Sequence, residues 1–260
     1  MCRHQKGEKS LEAGVIKAKN GKCKDLLFFY GDRRAVAAYC LEKRGAVYTP
    51  NALMLERAFR DGDFRRLLER ASVLVPDGVG AVLLLHREGG CARRLTGVSL
   101  GMAVAEIAAE RGLSLFLYGG KKGVARAAAA ALKKTYPHLK ISGTLDGYGD
   151  KDQAAATILE SEADVVFVCL GSPLQERFIA RELCGKKGRT MTAFGLGGSL
   201  DVYSGRLERA PLFFRAMGAE WLYRMVREPH RFRELPLLLS FAWRLSGIGK
   251  KDKKIVLQEK

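Results

Sequence analysis

Between residues 25 and 205 short apolar runs alternate with longer stretches of helical period, and this alternation restricts the fold more than any other feature of the chain. Leu26–Tyr30, Ala46–Thr49, Val73–Val75, Ser114–Tyr118, Lys140–Gly143, Asp164–Leu170 and Thr190–Phe194 read as strands. Arg33–Lys43, Leu53–Arg70 (interrupted at Asp61-Gly62-Asp63), the residues from Gly78 to about Arg87, Leu100–Arg111, Lys121–Thr135, Asp150–Glu160 and Gln175–Cys184 read as helices. Runs too short for helices, each joined to the next by an amphipathic crossover, are the pattern of right-handed βαβ units. The expected fold is α/β, a Rossmann-like parallel sheet flanked by helices. After Gly205 the pattern changes. Pro211, Pro229 and Pro236 punctuate a helical, aromatic, Arg-rich segment without strands. The chain therefore divides into a basic N-terminal extension (1–24), a Rossmann-like domain (25–205) and a basic helical C-terminal appendage with its tail (206–260).

Charge follows the same division. The net charge is +17, but residues 25–202 hold 25 Lys or Arg against 20 Asp or Glu, a net of only +5. Residues 1–24 carry +5 and residues 203–260 carry +7, so the ends hold most of the excess. Basic ends on a nearly balanced body suit polyanions: nucleic acid, anionic lipid or phosphorylated substrates.

No apolar run approaches the roughly 18–20 residues of a membrane-spanning helix. The best stretch, Leu235–Leu245, is broken by Pro236, Ser240 and Arg244. Met1–Asn20 is charged throughout, so a secretory leader is not expected. Cys2, Cys23, Cys40, Cys91, Cys169 and Cys184 form no C-x-x-C pair, which favours buried thiols over a zinc site or a disulfide framework. The four histidines are scattered and receive no role.

In a parallel sheet, ligands bind at the carboxyl ends of the strands. Here those ends carry Pro50-Asn51, Pro76-Asp77-Gly78, Gly119-Gly120-Lys121-Lys122-Gly123, Gly171-Ser172-Pro173-Leu174-Gln175-Glu176 and Gly195-Leu196-Gly197-Gly198-Ser199. Three of these are glycine-containing turns into a helix, which let backbone N–H groups approach a phosphate. None matches the dinucleotide or P-loop fingerprint, so together they suggest a nucleotide or sugar-nucleotide site. Asp77, directly after a strand, can project into the cleft as an acid–base group, or it can cap the next helix; spacing does not separate the two. Asp61-Gly62-Asp63 has the D-x-D pattern of a sugar-nucleotide metal site, but it follows no strand, and a solvated turn with Asp63 capping the next helix is the favoured reading. Between Tyr203 and Arg233 seven arginines lie among Phe213, Phe214, Trp221, Tyr223 and Phe232; Arg224, Arg227 and Arg231 can share one helical face. Such clusters suit diphosphates and membrane interfaces.

Taken in order, Thr49-Pro-Asn51, Pro76-Asp77-Gly78, Arg94-Leu-Thr-Gly97, Tyr118-Gly-Gly-Lys-Lys-Gly123, Gly171-Ser-Pro-Leu-Gln-Glu176, Gly195-Leu-Gly-Gly198, Asp201 to Gly205, Arg209-Ala-Pro211, Glu220-Trp-Leu-Tyr-Arg224 and Glu228-Pro229 resemble the WecG/TagA/CpsF family of bacterial glycosyltransferases. The resemblance runs from about Gly45 to Arg233. It implies an inverting transfer of N-acetylmannosamine or a related sugar from a UDP-sugar to a sugar carried on undecaprenyl diphosphate, in cell-surface polysaccharide synthesis. UDP-sugar is then a substrate, and neither a cofactor nor a D-x-D metal is implied. Asp77 is the implied general base. Thr49, Asn51, Arg94 and Gln175 line the sugar and diphosphate site, with Gly119, Gly120, Gly171, Pro173, Glu176, Gly195, Gly197 and Gly198 around it. Arg224, Arg231 and Arg233 belong to an appendage that closes over the site and meets the anionic inner face of the cell membrane. The oligomeric state is left open. Two other classes compete on composition alone. A nucleic-acid-binding protein would use the basic charge, but no helix-turn-helix, RNA-recognition or zinc-finger signature is present. A dinucleotide-dependent oxidoreductase would use the αβ alternation, but its glycines and ribose-binding acid are missing.

Overall fold

The computed structural model describes residues 11–16, 25–184, 191–208, 211, 213–214, 220–227 and 229–246, without the side chains of 220, 224 and 229–231. Its centre is one eight-stranded sheet. The strands are β1 (Leu11–Ile16), β2 (Leu26–Gly31), β3 (Gly45–Tyr48), β4 (Val73–Leu74), β5 (Ser114–Gly119), β6 (Lys140–Leu145), β7 (Val165–Cys169) and β8 (Thr192–Gly195), in the order β1-β2-β4-β3-β8-β7-β5-β6. Every pairing is parallel except that of β1 with β2.

Side chains alternate across the sheet and feed a core on each face, as a doubly wound sheet requires. In β3, Val47 faces one way and Ala46 and Tyr48 the other; in β7, Val165 and Phe167 oppose Val166 and Val168. One face packs on α1 (Arg33–Lys43), α5 (Gly97–Arg111), α6 (Val124–Thr135) and α9 (Ser199–Tyr203), around an edge-on contact between Phe167 and Phe194. The other packs on α2 (Ala52–Arg60), α3 (Gly62–Glu69), α4 (Gly78–Arg87), α7 (Lys151–Glu160) and α8 (Leu174–Phe178), which runs on as a π turn over Ile179–Leu183. In the C-terminal segment, α10 (Glu220–Arg227) is followed by a 3-10 stretch (Pro229–Glu234) and α11 (Leu235–Ser246).

Three expectations are corrected. First, the stretch 1–24 is not only an extension: Leu11–Ile16 is an antiparallel edge strand. Gly14 is needed there, because a Cβ would lie 3.0 Å from the Tyr30 ring, and the Tyr30 hydroxyl donates to the Ala13 carbonyl. Second, Cys91 is disulfide-bonded, whereas Cys40 and Cys169 are the buried free thiols that the composition suggested and Cys184 is free but exposed; Cys2 and Cys23 lie outside the described residues. Third, Asp61 rather than Asp63 caps α3, accepting from the backbone N–H groups of Asp63 and Phe64, while Asp63 pairs with Arg66. Asp61 is thus committed to the helix end.

The C-terminal helix is built into the body. Phe241 of α11 is buried in the α2–α4 core. Beside it the fully buried Glu56 of α2 accepts from Arg60 Nε at 2.7 Å, Ser240 Oγ at 2.7 Å and Arg244 Nε at 2.9 Å. Arg244 also stacks over the Phe59 ring at 4.6 Å, and Arg87 donates to the carbonyls of Arg244 and Leu245. A buried carboxylate is tolerable only when compensated in this way. Burial pushes the Glu56 carboxyl up, but the hydrogen bonds from Arg244, Ser240 and Arg60 outweigh it and hold its pKa at about 2, against an ordinary 4.5. Because the folded value is depressed, this stabilisation is complete above about pH 4.5 and is lost as the pH falls toward 2. Glu56→Gln should therefore cost about 2 kcal/mol at neutral pH and flatten the acid limb of a stability-against-pH curve; an unchanged limb would show that α11 is held by other contacts.

Candidate active site

The parallel register brings the C-terminal ends of β4, β3, β8, β7 and β5 to one edge as five adjacent strands. At roughly 4.8 Å per strand the row spans about 19 Å, enough for an extended ligand. Asp77 stands at one end of it and Gly119 at the other.

Backbone hydrogen bonds tie the Asp77 end together. Asp77 N–H donates to the Pro50 carbonyl at 3.1 Å, Val75 N–H to the Tyr48 carbonyl at 2.9 Å, and Leu95 N–H to the Pro76 carbonyl at 3.4 Å. The loops Thr49–Asn51, Pro76–Gly78 and Arg94–Gly97 are thus joined. Gly78 permits the sharp exit from β4, with φ of 77°, a left-handed conformation that favours glycine.

Asp77 differs from the other aspartates that precede helices. Asp32, Asp61 and Asp150 occupy N-cap positions, and each side chain accepts from backbone N–H groups of its helix. Asp77 occupies the N-cap position of α4 with the same extended backbone, yet its carboxylate makes no capping bond. It borders a cavity of about 400 Å³ together with Asn51, Arg94, Thr96, Gly198 and Ser199. Asn51 is itself positioned by capping α2, accepting from Met54 N–H at 3.1 Å. A carboxylate that can take a proton thus shares one space with an arginine that can balance developing negative charge.

The other residues singled out in the sequence sort into two groups. Thr49, buried, donates from its hydroxyl to the Gly195 carbonyl at 3.2 Å and joins β3 to the loop after β8. Gln175 is also buried. Its Oε1 accepts from Gly197 N–H at 2.9 Å, which fixes the amide's orientation, and its Nε2 donates to Glu176 Oε1 at 2.7 Å. Glu176, expected among the binding residues, has no exposed surface. It supports Gln175, and its backbone carbonyl accepts from the Tyr48 hydroxyl at 3.1 Å. Gly195 makes room for that amide: a Cβ there would lie 3.1 Å from Gln175 Nε2. Gly119 and Gly120 serve the chain path. A Cβ on Gly119 would lie 2.3 Å from the Cys169 carbonyl oxygen, and one on Gly120 would lie 2.8 Å from Val124. Gly171, Gly197 and Gly198 have open space where a Cβ would be, and Pro173 follows a cis peptide bond. Arg233 is exposed; the side chains of Arg224 and Arg231 lie outside the described residues.

Sequence reasoning missed the other half of the cavity. It is apolar, walled by Val79 and Leu83 of α4, Trp221 and Met225 of α10, and Leu235, Leu238, Leu239 and Ala242 of α11. The four α11 positions recur at helical spacing, a signal present in the sequence. Among the described residues no group of three or more His, Cys, Asp or Glu is placed to hold a metal ion.

Burial raises the Glu176 carboxyl above its ordinary range, with hydrogen bonds from Gln175 and Ser172 pulling the other way. A raised folded pKa makes the neutral acid the stabilising form, a contribution lost as the pH rises. Glu176→Gln should gain stability relative to the parent as the pH is raised, while Glu176→Ala should cost about 2–3 kcal/mol. Denaturant titrations at several pH values measure both, and a Glu176→Gln protein whose difference from the parent does not change with pH would refute the raised carboxyl pKa.

Residues 32–254 match the family model described as "Glycosyl transferase WecG/TagA/CpsF family". A protein of Bacillus subtilis (strain 168) is 34% identical over 209 residues, which cover 78% of this chain and 80% of the relative. A protein of Bacillus spizizenii (strain ATCC 23059 / NRRL B-14472 / W23) is 34% identical over 202 residues, covering 76% and 77%. Both are named N-acetylglucosaminyldiphosphoundecaprenol N-acetyl-beta-D-mannosaminyltransferase. With a match over most of its length and a site built from the residues that carry the resemblance, the chain belongs to the WecG/TagA/CpsF family of glycosyltransferases.

Proposed function

We propose that this protein transfers N-acetylmannosamine or a related sugar, with inversion, from a UDP-sugar to a sugar on undecaprenyl diphosphate at the inner face of the cell membrane. The observation that carries the reading is the mixed lining of one cavity: Asp77 and Arg94 border it together with many hydrocarbon side chains, those of α11 among them. An acceptor with a sugar hydroxyl on one side of a diphosphate and a polyprenyl chain on the other is mixed in the same way. The names of the two relatives supply that acceptor and that sugar.

In this reading the Asp77 carboxylate takes the proton of the acceptor hydroxyl as its oxygen attacks the anomeric carbon. The bond from that carbon to the diphosphate oxygen breaks, and UDP leaves with the electron pair. Attack opposite the leaving group inverts the centre and needs one base. Arg94 stabilises charge that grows as the bond breaks, and so acts more strongly on the transition state than on the ground state. The donor lies along the strand ends away from Asp77, with Gln175 holding the Gly195–Gly198 loop beneath it. Arg224, Arg231 and Arg233 meet the diphosphates from the C-terminal segment. The reaction uses UDP-sugar as a substrate and requires no cofactor.

The C-terminal segment also supplies the contact with the membrane. Among the described residues no helix is long and apolar enough to cross a bilayer. Yet Phe213, Trp221, Leu222, Val226, Phe232, Leu239 and Trp243 are all exposed, Val226 to 68%. Aromatic and aliphatic side chains on a basic segment suit an anionic lipid surface.

Asp77→Asn should lower transfer at least about a hundredfold while UDP binding, followed by calorimetry, stays within about twofold; near-normal turnover would remove Asp77 as the base. The double variant Leu222→Glu, Val226→Glu should lose sedimentation with anionic vesicles and keep transfer to a soluble acceptor, and undiminished sedimentation would overturn the proposed membrane contact.

A further inference from the structure

One helix, α11, performs two tasks on two faces. Leu235, Leu238, Leu239 and Ala242 form one wall of the Asp77 cavity. Ser240, Phe241 and Arg244 face the body. Phe241 enters between α2 and α4 at Gly80, where a Cβ would lie 2.7 Å from Ala52 and 2.9 Å from the Phe241 ring. Ser240 and Arg244 are held by Glu56, which lies on α2 away from the cavity and has no solvent exposure. Asn51, which borders the cavity beside Asp77, caps the same α2. Polar and apolar lining residues of the cavity are therefore referred to one helix.

On the reading of the reaction proposed above, we infer that Glu56 is a positioning residue that sets recognition of the hydrocarbon part of the acceptor by holding α11 as the apolar wall of the cavity. Glu56 touches neither the reacting atoms nor the donor. Three of its bonds end on α11, one from Ser240 and two from Arg244, and a fourth, from Arg60, stays within α2. Arg60 also donates to the Ser240 hydroxyl. When the carboxylate is neutralised the body-facing contacts weaken, and the leucine face loses its fixed distance from Val79 and Leu83. An acceptor that depends on that wall then binds less well, whereas a short one that does not use it is unaffected.

The test compares two acceptors with the same N-acetylglucosamine diphosphate head, one on an undecaprenyl chain and one on a short alkyl chain. With the full-length parent, the long acceptor should have the lower KM. Glu56→Gln should raise that KM roughly tenfold, the cost of losing contact with about two methylene groups. KM for the UDP-sugar and kcat/KM for the short acceptor should stay within about twofold. Ser240→Ala, which removes one bond and is the milder change, should move the long-acceptor KM in the same direction by a smaller factor, and it decides the matter if Glu56→Gln does not fold. Equal losses on both acceptors would mark the network as merely structural and overturn the inference. An unchanged preference in either folded variant, or a parent without a chain-length preference, would overturn it as well. A parent that transfers to neither acceptor would instead refute the glycosyltransfer reading on which the inference rests.

Discussion

The structure depends first on the parallel hydrogen bonding of β4, β3, β8, β7 and β5. Parallel pairing forces every strand to end on the same side, so five loops that are up to about 150 residues apart in the chain become neighbours. The side chains in those loops need only short local links to be placed: Asp77 through the Pro50 carbonyl, Thr49 through Gly195, Gln175 through Gly197. The two-sided core behind the row keeps these links in register, because a one-residue slip in β3 or β7 would exchange side chains between two differently shaped cores.

A second constraint is laid over the first. The helix that completes the cavity comes from the end of the chain and does not follow a strand. It is secured by shape, with Phe241 against Gly80, and by charge, with Glu56 against Arg244. The polar half of the site is therefore a property of the sheet edge, and the apolar half is a property of how the C-terminal segment docks.

What could be read in the sequence follows that distinction. The strands and helices of residues 25–205 were legible because their period is local, and so was the gathering of loops on one edge. The strand order was not legible, since nothing in Val73–Val75 says that β4 lies between β2 and β3. Leu11–Ile16 escaped because its alternation is short and interrupted by Gly14, whose reason is a Tyr30 ring that is distant in sequence. Asp61 and Asp63 could not be ranked as caps without the backbone. The Gly171–Glu176 motif places Glu176 around the site, and the hydrogen bond by which it holds the Gln175 amide could not be read from the sequence. The leucines of α11 had visible helical spacing, but their partner surface on α4 was unknowable from period alone. The family resemblance implied the role proposed for Asp77, and the structure adds that its side chain does not cap α4.

The bare N-terminus of α4 has a consequence of its own. A capping side chain stabilises a helix by about 1 kcal/mol, and asparagine caps about as well as aspartate. At position 77 that contribution is forgone: the side chain makes no capping bond, while the aspartates at 32, 61 and 150 cap their helices. On the reaction proposed above, a residue at 77 that turned back to cap α4 would steady the helix and lose the base. Selection for thermal robustness and selection for turnover pull in opposite directions at this one side chain.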